Sequence, residues 1–200
     1  MAREITKLDS PIDAMYLIHK ALRAEAARVE GAIDQIDEGG NLQPVQEAFS
    51  HWAMVLGYHA EVEDKYMTAL LPDSLPARDN EATHRGLGEM LENVQADLNE
   101  AIEQAVGSPR TKRHLYGKVV ALRIAQDDHL EEEEEFVLPG IRQRIGEEQQ
   151  LEMARRLLVD REAPEAHWIL DWVARDLTPS ERELLAGLVA HFKEAPPGAR

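Results

Sequence analysis

Two stretches of this 200-residue chain pair a histidine with a glutamate four residues later: His59 with Glu63, and His129 with Glu133. On a helix that spacing puts both side chains on one face, one turn apart. An imidazole nitrogen and a carboxylate oxygen so placed can share a metal cation. The spacing alone is a weak signal, because His167 and Asp171 also have it. Position on the helix adds weight. At about 100° per residue, Leu115, Leu122 and Phe136 fall within about 40° of His129. Trp52, Val55, Tyr66 and Leu70 fall within about 40° of His59. Both histidines therefore sit mid-stripe on apolar, core-facing surfaces. Ile12, Met15 and Ala26 flank His19 in the same way, with Ile33 further along, and Leu91, Leu98 and Ile102 share the face of His84. His51, His114, His167 and His191 show no such convergence and read as structural or surface groups.

These side chains need four long helices to carry them. Ser10-Pro11, with Asp13 behind it, starts the first, which runs to about Asp37 and ends at Glu38-Gly39-Gly40. The second runs from about Pro44 to Leu71 and stops at Pro72. The third runs from about Asp79 to Val106 and stops at Gly107. Ser108-Pro109 opens the fourth, which continues to about Ile145 with a break at Leu138-Pro139-Gly140. Shorter helices follow over about Glu147 to Arg161, from Pro164, and from the capping box at Thr178-Pro179-Ser180-Glu181. Strand signals are nearly absent. The pattern predicts an all-α fold: an antiparallel up-down-up-down four-helix bundle over residues 8–145, a C-terminal helical extension over 146–194 packed on it, and a disordered tail over 195–200.

In such a bundle the starts of helices one and three share an end with the finishes of two and four. His19 lies nine residues after Ser10, while His59 and Glu63 lie thirteen and nine before Pro72. His129 and Glu133 lie ten and six before Pro139. At 1.5 Å per residue the four histidines and two glutamates fall in a slab of roughly 10 Å. Unpaired carboxylates are costly in a dry core, and a bound cation offsets that cost.

Composition limits the alternatives. The formal net charge is −16, which argues against nucleic acid and against anionic membrane surfaces as partners. No cysteine is present, so disulfides, thiolate metal sites and cysteine catalysis are excluded. The first residues lack the apolar core of a secretory signal, and no apolar run approaches a membrane span. A cytoplasmic protein is the expectation, as a monomer or homodimer.

The order His19, His59-x-x-x-Glu63, His84, His129-x-x-x-Glu133 resembles the hemerythrin-like (HHE cation-binding) domain. HAEVEDKYMTALLP and HLEEEEEFVLP fit that family's recurrent ending, and the resemblance covers about residues 8 to 145. It implies two iron ions with an oxo or hydroxo bridge. His19, His59, His84 and His129 would be terminal ligands, and Glu63 and Glu133 would bridge the ions. The chain departs from the oxygen-carrying hemerythrins. Gly88 stands four residues after His84, where they have a histidine, and Glu133 and Glu134 stand where they use His-x-x-x-x-Asp. Four histidines replace five, which leaves an open position and favours reaction with hydrogen peroxide, dioxygen or nitric oxide over oxygen carriage.

Tyr16 and Tyr66 face the core and could fill that position, although packing is the plainer role for both. Glu81, three residues before His84, is a candidate for orienting it. Within the glutamate run, Glu131, Glu134 and Glu135 point away from the core, Glu133 lies near its centre and Glu132 at its edge. The leading function is a non-haem di-iron protein that binds or breaks down small ligands, with catalase-like peroxide breakdown preferred. The alternatives are a non-enzymatic iron, oxygen or nitric-oxide sensor, a haem-binding bundle, or a purely structural one.

Overall fold

A computed structural model describes residues 4–37, 40–71, 74–103 and 108–192, with the backbone alone for 75–77. The expected stops at Glu38-Gly39, Pro72 and Gly107 and the tail over 195–200 lie outside the described residues. Every regular element among the described residues is helical. A short 3₁₀ turn, Pro11–Asp13, leads into α1 (Ala14–Asp34), followed by α2 (Gln43–Tyr66), α3 (Leu75–Glu103), α4 (Pro109–Glu132), α5 (Leu138–Arg144), α6 (Glu147–Leu158), α7 (Trp168–Arg175) and α8 (Pro179–Val189). The chain forms two compact units. One joins the residues up to Ala21 with those from Leu138 on, and the other is Leu22–Val137.

Leu22–Val137 holds α2, α3, α4 and the second half of α1. Their apolar stripes close a core of Val29, Ile33, Phe49, Trp52, Val55, Leu87, Val94, Leu98, Leu115, Val119 and Leu122, all buried. Side chains tie the helices along their length. Gln46 bonds Asn99 at 3.2 Å, and Asp97 accepts from Lys118 at 2.5 Å and pairs with His114 at 2.7 Å. Trp52 donates to Gln126 at 2.7 Å, and Arg123 pairs with Glu30. The Ser108 hydroxyl accepts from the Thr111 amide, and Pro109 takes the position where no amide is needed.

The other unit is held by two buried carboxylates. Asp13 accepts from the Ser10 amide and hydroxyl and from Arg142. Glu181, fully buried, closes the Thr178 capping box and also accepts from the Ile5 amide and Lys20. The expected helix at Pro164 is absent, and α7 begins at Trp168 instead. Asp160 explains the delay. Its carboxylate accepts from the Glu162 and Ala163 amides and the Trp168 indole, so the chain turns where a helix would have started. The third helix also starts earlier than expected, at Leu75 rather than about Asp79.

The expected break at Leu138-Pro139-Gly140 takes a different form. Residues Glu133–Val137 wind as a π turn, and the helix resumes through Pro139 to Arg144. Proline lacks an N–H and its ring crowds the carbonyl four residues back. A turn bonded from i to i+5 admits one extra residue and absorbs that misfit upstream. The rotation corrects one face assignment. Phe136, expected in the core, is 53% exposed, while Val137, Leu138 and Ile141 are buried. The 3₁₀ turn Thr68–Leu70 does the same after α2, exposing Leu70 and burying Met67 and Leu71. Phe136→Ala should therefore change stability by no more than about 0.5 kcal/mol. Leu138→Ala should cost about 2–5 kcal/mol. Urea denaturation compares them, and equal losses would contradict the π turn.

Candidate metal centre

His59 and Glu63 project from α2, His84 from α3, His129 from the last turn of α4, and Glu133 from the first residue of the π turn. All five are buried, and both glutamates are inaccessible to solvent. Glu63, His84, His129 and Glu133 each offer one ligand atom within 4.8 Å of the other three. His59 Nε2 stands 3.5 Å from Glu63 Oε1 and 3.7 Å from Glu133 Oε2. His84 Nε2 stands 3.5 Å from Glu63 Oε2 and 3.6 Å from Glu133 Oε1. His129 Nε2 is 3.2 Å from Glu133 Oε1, and its ring meets that of His84 edge-on with centroids 4.6 Å apart. Glu133 thus faces three imidazoles, and Glu63 faces two.

These separations mostly exceed the range of good hydrogen bonds, about 2.7–3.2 Å. Both Glu63 oxygens and His84 Nε2 are buried with no hydrogen-bond partner among the described residues. Atoms that face one another at such a distance fit a cation between them better than they fit each other. Nitrogen and carboxylate donors without sulfur suit a first-row metal cation.

His84 is turned by a residue that the sequence pattern did not single out. Its Nδ1 lies 2.8 Å from Asp64 Oδ1, with the Asp64 side chain 39% exposed. An Nδ1–H donating to that carboxylate leaves the Nε2 lone pair facing the two glutamates. This is the outer-shell arrangement that fixes the tautomer of a ligating histidine. Asp64 lies about 140° from His59 on the helical wheel, off the core stripe, where no apolar neighbour marks it. Its position directly after Glu63 was the available signal.

The other candidate residues lie as follows. His19 is fully buried on α1, in the unit that includes the residues up to Ala21. Tyr16 accepts from Arg142 at 3.0 Å, and the Arg142 guanidinium also lies over its ring. Tyr66 is half-buried with Lys65 Nζ 5.2 Å from its ring centre. Glu81 accepts from the Thr68 hydroxyl at 3.3 Å. Glu132 is exposed, and Glu134 pairs with Arg23 at 3.0 Å. Only Glu133 of the five-glutamate run is buried.

The family model for the hemerythrin HHE cation binding domain matches residues 10–141. The chain belongs to the hemerythrin HHE family. Comparison with curated proteins and with solved structures found no match. A cation-binding hemerythrin domain and a buried histidine–carboxylate cluster agree on metal binding.

The metal-free cluster holds protons. Burial, and then the neighbouring Glu133 carboxylate, push Glu63 well above the ordinary carboxylate range. For His84 burial acts downward, but Glu133 and Glu63 outweigh it and lift the imidazole to about 11. Both groups bind protons more tightly than in the unfolded chain, where the ordinary values are 4.5 and 6.5. Their contribution to metal-free stability is present below those values and is lost as pH rises towards the folded ones. A metal displaces the same protons. The rise in melting temperature on metal binding should therefore grow between about pH 5.5 and pH 8, and a rise that shrinks over that range would contradict the proton inventory. Asp64→Ala should weaken metal binding about 10–100-fold, read by competition with a chelator, and unchanged affinity would remove Asp64 from the centre.

Proposed function

We propose that this hemerythrin domain holds two iron ions with an oxo or hydroxo bridge and uses them to bind or react with small ligands. Hydrogen peroxide breakdown is the preferred activity, with dioxygen and nitric oxide as further ligands. In this reading His19, His59, His84 and His129 are terminal ligands and Glu63 and Glu133 bridge. His19 enters through its complete burial and its place nine residues after Ser10. The fold proposed is an antiparallel up-down-up-down bundle over residues 8–145, with 146–194 as an extension. The ties between helices support those directions. Along α3, His84 meets Glu63 and Asn99 meets Gln46. Against α4, His84 meets His129 and Asp97 meets His114. Contacts that advance on one helix as they recede on the next belong to antiparallel neighbours. A cytoplasmic site of action is part of the proposal. No helix among the described residues is long and apolar enough to cross a membrane.

The observation that carries the reading is Glu63: a fully buried carboxylate, both oxygens without hydrogen bonds among the described residues, facing two imidazoles and next to a second buried carboxylate. A pair of irons supplies Lewis acidity and a redox couple to small oxygen and nitrogen-oxide ligands. The chain's own share is to hold the bridging carboxylates, to fix His84 through Asp64 and to exclude water from the interior. A Cβ built on Gly88, one turn beyond His84, meets no atom within 4 Å. The fifth imidazole missing at Gly88 is the basis for proposing a position for an exogenous ligand.

Protein from iron-replete cells should carry two irons per chain and evolve oxygen when hydrogen peroxide is added. The Glu63→Ala, Glu133→Ala double variant should lose the metal. Fewer than two metals in the parent, or full metal retention in the double variant, would sink the di-iron assignment. Two irons with no oxygen release would transfer the function to sensing.

A further inference from the structure

The buried stripe of α4 runs Leu115, Val119, Leu122, Gln126, His129. It is apolar until Gln126, one turn before the first ligand. Gln126 is completely buried, and the i, i+3 spacing puts it on the face of His129. Its carboxamide oxygen accepts a 2.7 Å bond from the Trp52 indole N–H, itself fully buried on α2. An indole nitrogen can only donate, so this bond fixes the amide's orientation. The oxygen faces Trp52 and the NH2 faces away from it. That Nε2 is buried and has no hydrogen-bond partner among the described residues. A buried donor left so is unfavourable, and a leucine or methionine would fill the same volume without the penalty.

Gly88 supplies the second observation. It lies four residues after His84, about 6 Å along α3, and Gln126 lies three before His129, about 4.5 Å along α4. With α3 and α4 antiparallel, both displacements run to the same side of the centre. Gly88, where a Cβ would meet no atom within 4 Å, and the unmade donor of Gln126 therefore lie at one level of α3 and α4.

We propose that Gln126 is a specificity-determining residue, whose amide donates a hydrogen bond to a small ligand held at the metal centre. It selects ligands whose outer atom accepts a hydrogen bond, the class of azide and peroxide. Trp52 is the positioning residue that turns the amide. The inference rests on the di-iron reading above.

Azide is the probe, added to the iron-loaded, oxidised full-length chain. Gln126→Met removes the donor. The Trp52→Phe, Gln126→Met double variant removes both partners, so no indole is left orphaned if the single variant folds poorly. Both should keep the parent's iron count. Azide affinity should fall about tenfold in each. The parent's azide stretching frequency should shift between H2O and D2O, and that shift should vanish in the variants. Azide affinity within about twofold of the parent, with the isotope shift retained, would overturn the role of Gln126. Failure of the underlying reading is distinguishable, because the parent itself would then take up no iron, and the proposal falls with it.

Discussion

Two carboxylates, Glu63 and Glu133, are packed together without solvent among three imidazoles. That constraint governs the rest of the molecule. Two bare negative charges in an apolar interior repel each other and forgo hydration, a penalty of several kcal/mol per ion. Protons can relieve it, and so can a cation. Protons leave the donor atoms at the separations seen here, longer than good hydrogen bonds, whereas a metal would use that spacing. The cluster is therefore built for an occupant that carries more positive charge than the imidazoles alone provide.

Placing such a cluster requires helix registers fixed to within a fraction of a turn. Each i, i+4 pair delivers two donor side chains from one helix face, and the apolar stripes of α2, α3 and α4 turn those faces inward. Polar ties at the far ends, Gln46 with Asn99 and Asp97 with His114 and Lys118, hold the same registers away from the centre. Asp64 then sets the rotation of one imidazole from outside the apolar stripe. The polar character continues one layer along at Gln126 and Trp52 before the buried stripe of α4 becomes purely aliphatic.

Much of this was legible in the sequence, because buried polar residues on an apolar stripe stand out against their background. The wheel separated Glu133 from its four neighbours, and the structure buries Glu133 alone among them. The same arithmetic failed where the helix stops being ideal. A uniform angle per residue put Phe136 and Leu70 in the core, but the π turn and the 3₁₀ turn rotate each out to solvent. Asp64 was hidden because its partner lies on another helix and it sits off the apolar stripe of its own. Gln126 went unremarked because an amide carries no charge to make its burial conspicuous. The delayed start of α7 depends on the Asp160 carboxylate taking several amides at once, which no periodicity reveals.

The central claim is that cations and protons compete for this buried cluster. It is tested most directly by titrating metal-free protein with iron(II) anaerobically at pH 7, by calorimetry in two buffers of different ionisation enthalpy. The account predicts net proton release, about one proton or more per chain as the cluster fills. Iron binding with no proton release, or no iron binding, would contradict it.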